Sequence, residues 1–200
     1  MTFTSSYEKL FNLIIDDLVE QSYSLQINQA PQKICEALLE QAKLNVAEFQ
    51  AASVGRKSNQ ILDTNIRSDK TLWIEGHSKA EIEWLAWCEQ LKIALNQSLY
   101  LGLNNFECHY SIYNPNDFYQ KHVDAFKGKS NRKVSMVLYL NKGWQPEHEG
   151  QLVIYPKEQD PLKFDPTFAS FVVFLSEDIP HEVLASHKDR FAIACWFRVD

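Results

Sequence analysis

The stretch Phe118-Tyr-Gln-Lys-His-Val-Asp-Ala-Phe126 places a histidine and an aspartate two residues apart in an aromatic-flanked segment. Side chains at i and i+2 of a strand share a face. His122 and Asp124 can therefore aim a nitrogen and a carboxylate oxygen at one point. The pair is either two-thirds of a metal site or a histidine hydrogen-bonded to a nearby carboxylate. The choice turns on the element that carries the stretch and on whether a third ligand reaches it.

From Phe106 onward the chain reads as short strands at 106–113, 118–123, 132–140, 151–155, 161–164, 169–175, 181–184 and 190–198. Asn114, Pro115, Asn141, Gly143, Pro146, Gly150, Pro156, Pro166 and Pro180 punctuate them, as turn residues do. Short strands at this spacing predict a β-sandwich or jelly roll. The N-terminal half is different. Residues 6–21 carry the apolar stripe Leu10, Phe11, Ile14, Ile15 and Leu18 behind a cap at Ser5 or Ser6, an amphipathic helix. A short strand follows at 22–27, then a helix from Pro31, in its first turn, to about Leu44. Residues 71–75 read as a strand, and 79–101 as a helix through Ile82, Leu85, Ala86, Ile93 and Leu95. Residues 51–69 have no clear period, and long irregular segments are usually functional or mobile.

Helices first and strands second give an α+β class: a double-stranded β-helix (jelly-roll) core with N-terminal supporting helices. One domain over 1–200 is expected, with 1–101 as helical support plus the loop 51–69, and 106–200 as the core.

Hydrophobic residues make up 45% of the chain, enough for a sizeable core. The net charge of −6 without a basic cluster argues against nucleic acid, whose phosphates want a basic stripe. Cys35, Cys88, Cys108 and Cys195 are scattered without a C-x-x-C pair, so buried free thiols are expected rather than a zinc or redox motif. The start of the chain does not read as a signal peptide, and no apolar run is long enough to span a bilayer. A cytoplasmic protein is expected.

Six histidines are present, and two of them open a His-x-Asp: His122 and His187. His187 lies in the polar run Ser-His-Lys-Asp-Arg, which looks like a turn, with no later histidine to complete a site. His122 is followed by further strands and by His181 in Ile179-Pro-His-Glu-Val183. Two ligands from one strand and a histidine from another would make a 2-His-1-carboxylate triad, a set that leaves coordination positions open and suits non-haem Fe(II) oxygenases. Pro146-Glu-His-Glu-Gly150 is a rival cluster without a third spaced ligand, read as a solvated loop.

Arg190 opens the last strand, where Arg190, Ala192, Ala194 and Trp196 share one face and Phe191, Ile193, Cys195 and Phe197 the other. A charge, two small residues and an indole read as the wall of a cavity. A guanidinium there needs an anionic partner, which a bidentate carboxylate supplies. Tyr113 and Tyr139 lie on candidate barrel strands and can offer hydroxyls to the same ligand, although each also suits a core or cross-strand packing role.

In six places the chain resembles the prolyl-hydroxylase branch of the Fe(II)/2-oxoglutarate dioxygenases, close to the bacterial relatives of the hypoxia-inducible-factor prolyl hydroxylases. These are Ile66-Arg-Ser-Asp-Lys-Thr-Leu-Trp-Ile-Glu-Gly76, Tyr113-Asn-Pro through His122-Val-Asp124, Val137 to Trp144, Gly150-Gln-Leu, Pro180 to Val183 and Arg190 to Trp196. The resemblance implies iron ligation by His122, Asp124 and His181. It implies pairing of Arg190 with the distal carboxylate of 2-oxoglutarate, in a pocket lined by Tyr113, Tyr139 and Trp196. It also implies a substrate loop over 51–69 with Arg67 and Asp69 at its base. Ala194 stands where close animal relatives carry a threonine. The implied cofactors are Fe(II), 2-oxoglutarate and O2, with ascorbate as reductant. The implied reaction is hydroxylation of a prolyl residue, at C4, in a cytoplasmic protein such as a translation factor or ribosomal protein, with no nucleic-acid or membrane partner. The alternatives are hydroxylation of free proline or another small molecule, and a non-catalytic jelly-roll binding module.

Overall fold

The computed structural model describes residues 7–52, 63–126 and 131–199. The candidate caps Ser5 and Ser6, and residues 53–62 of the irregular segment, lie outside the described residues. Three helices, α1 (Glu8–Gln21), α2 (Gln32–Leu44) and α3 (Lys79–Leu99), are interleaved with β1 (Tyr23–Gln26), β2 (Gln50–Ala51) and β3 (Lys70–Trp73). Eight strands follow: β4 (Asn105–Tyr113), β5 (Tyr119–His122), β6 (Arg132–Tyr139), β7 (Leu152–Ile154), β8 (Leu162–Phe164), β9 (Phe171–Leu175), β10 (His181–Val183) and β11 (Arg190–Arg198).

The major sheet runs β1-β9-β6-β11-β4-β3-β2, and the minor sheet β5-β10-β7-β8. All pairings between named strands are antiparallel. From β4 to β11 the chain switches sheet at every step except β7 to β8. That alternation is the jelly-roll core expected from the spacing of turn residues.

Period-2 patterning divides the interior in two. On β6, Val134, Met136 and Leu138 enter a core shared with the helices, while Tyr139 joins a smaller cluster between the two sheets. On β11, Ile193, Cys195 and Phe197 pack toward the helices, and Ala192 faces the minor sheet. The helices thus serve as a platform on the outer face of the major sheet, leaving its inner face free to line a cavity.

Two readings of the helices change. Pro31 sits one residue ahead of α2 in an extended conformation rather than inside its first turn. The buried face of α3 is Ala80, Glu81, Trp84, Trp87, Cys88, Leu91 and Leu95, whereas Ile82 is 57% exposed. The indoles decide the rotation: Trp84 and Trp87 stack at 5.1 Å, and Trp87 meets Phe11 and Phe171 edge-on. Full burial of such rings outweighs that of an isoleucine, because the aromatic area removed from water is larger. Glu81 is buried because its carboxylate accepts from the backbone N–H groups of Gly76 and His77, while Ser78 caps the helix at Glu81 N.

The four cysteines are free and buried, as expected. Three of them nevertheless meet: the sulfurs of Cys88, Cys108 and Cys195 lie within 4.8 Å of one another. The Pro146–His148 turn is a single 3-10 turn, and His187 is exposed, its Nδ1 donating to Glu147 O. No helix among the described residues is long and apolar enough to cross a membrane.

Candidate metal and co-substrate site

Strand register brings the two histidines together. β10 lies between β5 and β7, and His181 stands directly opposite His122. Strand β5 ends at His122, and the chain bends so that Asp124 returns to the same point. The expected strand to 123 is therefore one residue shorter, but the convergence holds. Asp124 Oδ1 is 3.7 Å from His122 Nε2, and Asp124 Oδ2 is 3.8 Å from His181 Nε2. One ligand atom from each of the three lies within 4.8 Å of the others.

The backbone orients both rings. His122 Nδ1 donates to Gln120 O at 2.7 Å, and His181 Nδ1 to Ile179 O at 3.1 Å. A carbonyl only accepts, so Nδ1 of each ring carries a hydrogen, and Nε2 is the atom turned toward Asp124. Burial, reinforced by His181, pushes His122 down to about 3, so that imidazole is neutral. Burial alone would raise the Asp124 carboxyl, but His181, His122 and hydrogen bonds from Ser135 and Trp196 hold it below the ordinary value. The cluster presents two imidazoles and one carboxylate, a donor set that fits a divalent transition metal with open positions.

Arg190 begins β11 and is 1% exposed. Its Nε donates to Gly150 O at 2.9 Å, and its guanidinium lies 4.9 Å from the Tyr113 ring centre and 5.2 Å from that of Tyr139. Arg190 Nη2 and the Tyr139 hydroxyl are buried without a hydrogen-bond partner among the described residues. Such groups are costly unless something satisfies them. Here both are donors at neutral pH, since burial pushes the Tyr139 phenol up to about 12. Burial raises Tyr113 as well. A carboxylate is the ligand that this donor set fits. Beyond Arg190, Ala192, Ala194 and Trp196 line a cavity of about 820 Å³ that continues to the triad.

At the mouth, Arg67 forms a two-pronged ion pair with Asp69, at 2.7 and 2.6 Å. The Arg67 guanidinium lies 4.3 Å over the Tyr119 ring, which in turn stacks on the His122 imidazole at 3.6 Å. Trp73 and Phe126, 49% and 71% exposed, stand on the rim.

Of the nine residues singled out from sequence, seven line this cavity: His122, Asp124, His181, Arg190, Tyr113, Trp196 and Arg67. Asp69 and Tyr139 lie one layer deeper, behind Arg67 and against Arg190. Sequence reasoning missed Ser135, which donates to Asp124 Oδ2 at 2.7 Å, and the Gly150 carbonyl that holds Arg190. A serine on the inner side of the apolar run Val134-Ser-Met-Val-Leu138 was the available signal.

Residues 108–198 match the 2OG-Fe(II) oxygenase superfamily. The crystal structure of a Pseudomonas putida prolyl-4-hydroxylase superposes with a TM-score of 0.87 at 36% identity, covering 95% of this chain and 99% of that one. A Trichoplax adhaerens prolyl hydroxylase, solved with a hypoxia-inducible-factor oxygen-degradation-domain peptide, gives 0.83 at 28% identity over 96% of this chain and 90% of that one. A hypoxia-inducible factor prolyl hydroxylase of Caenorhabditis elegans is 35% identical over 82 residues, which are 40% of this chain and only 11% of that protein. The chain belongs to the 2OG-Fe(II) oxygenase superfamily, whose dioxygenases use Fe(II), 2-oxoglutarate and O2, and within it stands among the prolyl hydroxylases.

Proposed function

We propose that the chain hydroxylates a prolyl residue, at C4, in a protein substrate, with iron held by His122, Asp124 and His181. Iron and 2-oxoglutarate, when bound, supply the oxidising chemistry, coupling O2 reduction and decarboxylation to succinate with hydroxylation. The protein's own residues do the rest. His122 and His181 present their Nε2 atoms, and Asp124 supplies the charge. Arg190 pairs with the distal carboxylate of 2-oxoglutarate, and the hydroxyls of Tyr139 and Tyr113 complete its polar shell. Ala192 and Ala194 leave room for the co-substrate, and Trp196 closes the wall. Ascorbate would act from solution as reductant.

One observation carries the polypeptide reading over the small-molecule one. The cavity does not close above the triad but runs outward past Arg67 to the exposed rings of Trp73 and Phe126. A free amino acid would leave this apolar rim in water, whereas a peptide strand would cover it. Arg67 would meet that strand with a side chain already held by Asp69 and stacked on Tyr119. Four reduced, buried thiols fit a cytoplasmic setting.

The test is succinate formation from 2-oxoglutarate with Fe(II), ascorbate and a cytoplasmic extract, followed by mass mapping of any added oxygen. Hydroxyproline in a protein supports the reading, with translation factors and ribosomal proteins the favoured class. Hydroxylation of free proline alone would replace it with the small-molecule reading, and binding of neither metal nor 2-oxoglutarate would leave a binding module.

A further inference from the structure

The Cys88, Cys108 and Cys195 cluster belongs to no part of the oxygenase site. It lies on the opposite face of the major sheet, because Cys195 points away from the side that carries Ala194 and Trp196. Cys108 and Cys195 are directly opposed across the β4–β11 pairing, and Cys88 descends on them from α3. All three are 2% exposed or less.

Three features set this trio apart from ordinary buried cysteines. The sulfurs lie within 4.8 Å of one another. Metal–thiolate bonds of about 2.3 Å place sulfurs roughly 3.8–4.0 Å apart, so closure needs shifts of under about 1 Å. The fully buried indole Nε1 of Trp84 has no partner at normal hydrogen-bond distance among the described residues and lies beside Cys108 and Cys195. Finally, the thiols differ: burial drives Cys88 and Cys108 well up, whereas the neighbouring Cys108 and Cys88 sulfurs hold Cys195 below its ordinary value against the effect of burial.

We propose that Cys88, Cys108 and Cys195 form a second metal site, specific for a soft monovalent cation of the Cu(I) class. Thiolate ligands select soft ions. Zinc sites of this kind want four ligands, and no fourth histidine, cysteine or carboxylate joins the three among the described residues. Three sulfurs without a fourth ligand suit Cu(I), which accepts trigonal coordination. Each thiol that binds releases its proton to solvent. The site is independent of the proposed hydroxylase reading.

The test offers Cu(I), as its bicinchoninate complex, to the full chain under anaerobic conditions. One equivalent should pass from the chelator to the protein, with a new near-ultraviolet sulfur-to-copper band. Cys108→Ser and Cys195→Ser should each weaken retention at least tenfold, while Cys35→Ser and His122→Ala/His181→Ala should not change it. X-ray absorption on the wild-type protein, which needs no variant to fold, should show three sulfurs at about 2.3 Å. No transfer, a first shell of nitrogen or oxygen, or retention unchanged by loss of Cys108 and Cys195 would each overturn the proposal and leave the cysteines as small packing residues.

Discussion

Ser135 donates its hydroxyl hydrogen to Asp124 Oδ2 at 2.7 Å, from the strand across which β11 lays Trp196. Because that hydrogen is committed, the 2.8 Å contact between Ser135 and Ser176 must run the other way, with Ser176 donating. The result is a relay, Ser176 to Ser135 to Asp124, that fixes the carboxylate in the orientation facing both histidines. Partners behind a metal ligand commonly govern affinity by 10- to 100-fold. Ser135→Ala should accordingly weaken Mn(II) binding about tenfold, read by titration against its electron paramagnetic resonance signal, with little change in KM for 2-oxoglutarate. Affinity equal to wild type would mean that the triad orients itself without the relay.

Arg190 should be irreplaceable by lysine. The guanidinium uses Nε on the Gly150 carbonyl and still has Nη2 free to meet a ligand. A lysine ammonium has no rigid fork and cannot hold both directions at once. Arg190→Lys should raise KM for 2-oxoglutarate by roughly 30- to 100-fold, the equivalent of one lost charged hydrogen bond. Metal affinity should stay near wild type, since Arg190 is not among the three converging ligands. An unchanged KM would place the co-substrate elsewhere.

Gly150 is required by space and by backbone conformation together. Its φ is +72°, and a Cβ there would stand 2.6 Å from Ser186 Cβ and 3.4 Å from Arg190 Cδ. Gly150→Ala should cost about 1–3 kcal/mol, seen as a fall in Tm, and should also raise KM for 2-oxoglutarate by displacing Arg190. A fall in Tm with KM untouched would separate the glycine's structural role from the site.

Most of the core was legible because each strand ends at a residue with its own reason to turn, such as Pro115, Gly143 or Pro180. The face of β11 was legible for a different reason: Arg190, Ala192, Ala194 and Trp196 form no sensible packed face. The buried side of α3 was not legible, because apolar residues occur on both sides of the helix and only the Phe11 and Phe171 rings select Trp84 and Trp87. The pairing of Gln50–Ala51 with β3 is too short to leave a period. The sulfur cluster was hidden because its members come from three elements separated by 20 and 87 positions, so spacing carries no trace of it. Arg67 and Asp69 carried a resemblance but no geometry; their ion pair and the stack on Tyr119 depend on a bridge between Arg67 and Tyr119 that joins distant segments.

His109 makes stability depend on pH in a predictable direction. It is buried against Trp73 and Trp196, with its Nδ1 directed at Tyr110 O. Burial first, and the nearby Arg67 charge second, lower it from 6.5 to about 4. The folded chain thus keeps His109 neutral where the unfolded chain would protonate it. Its contribution is complete above pH 6.5 and is lost as pH falls toward 4. Linkage puts the loss at about 2 kcal/mol between pH 7.5 and 5. His109→Asn removes the titrating group, so urea unfolding of the variant should lose less stability than wild type over that interval, by about the same amount. Parallel slopes for the two proteins would show that His109 meets water in the folded state, through an opening between Trp73 and Trp196.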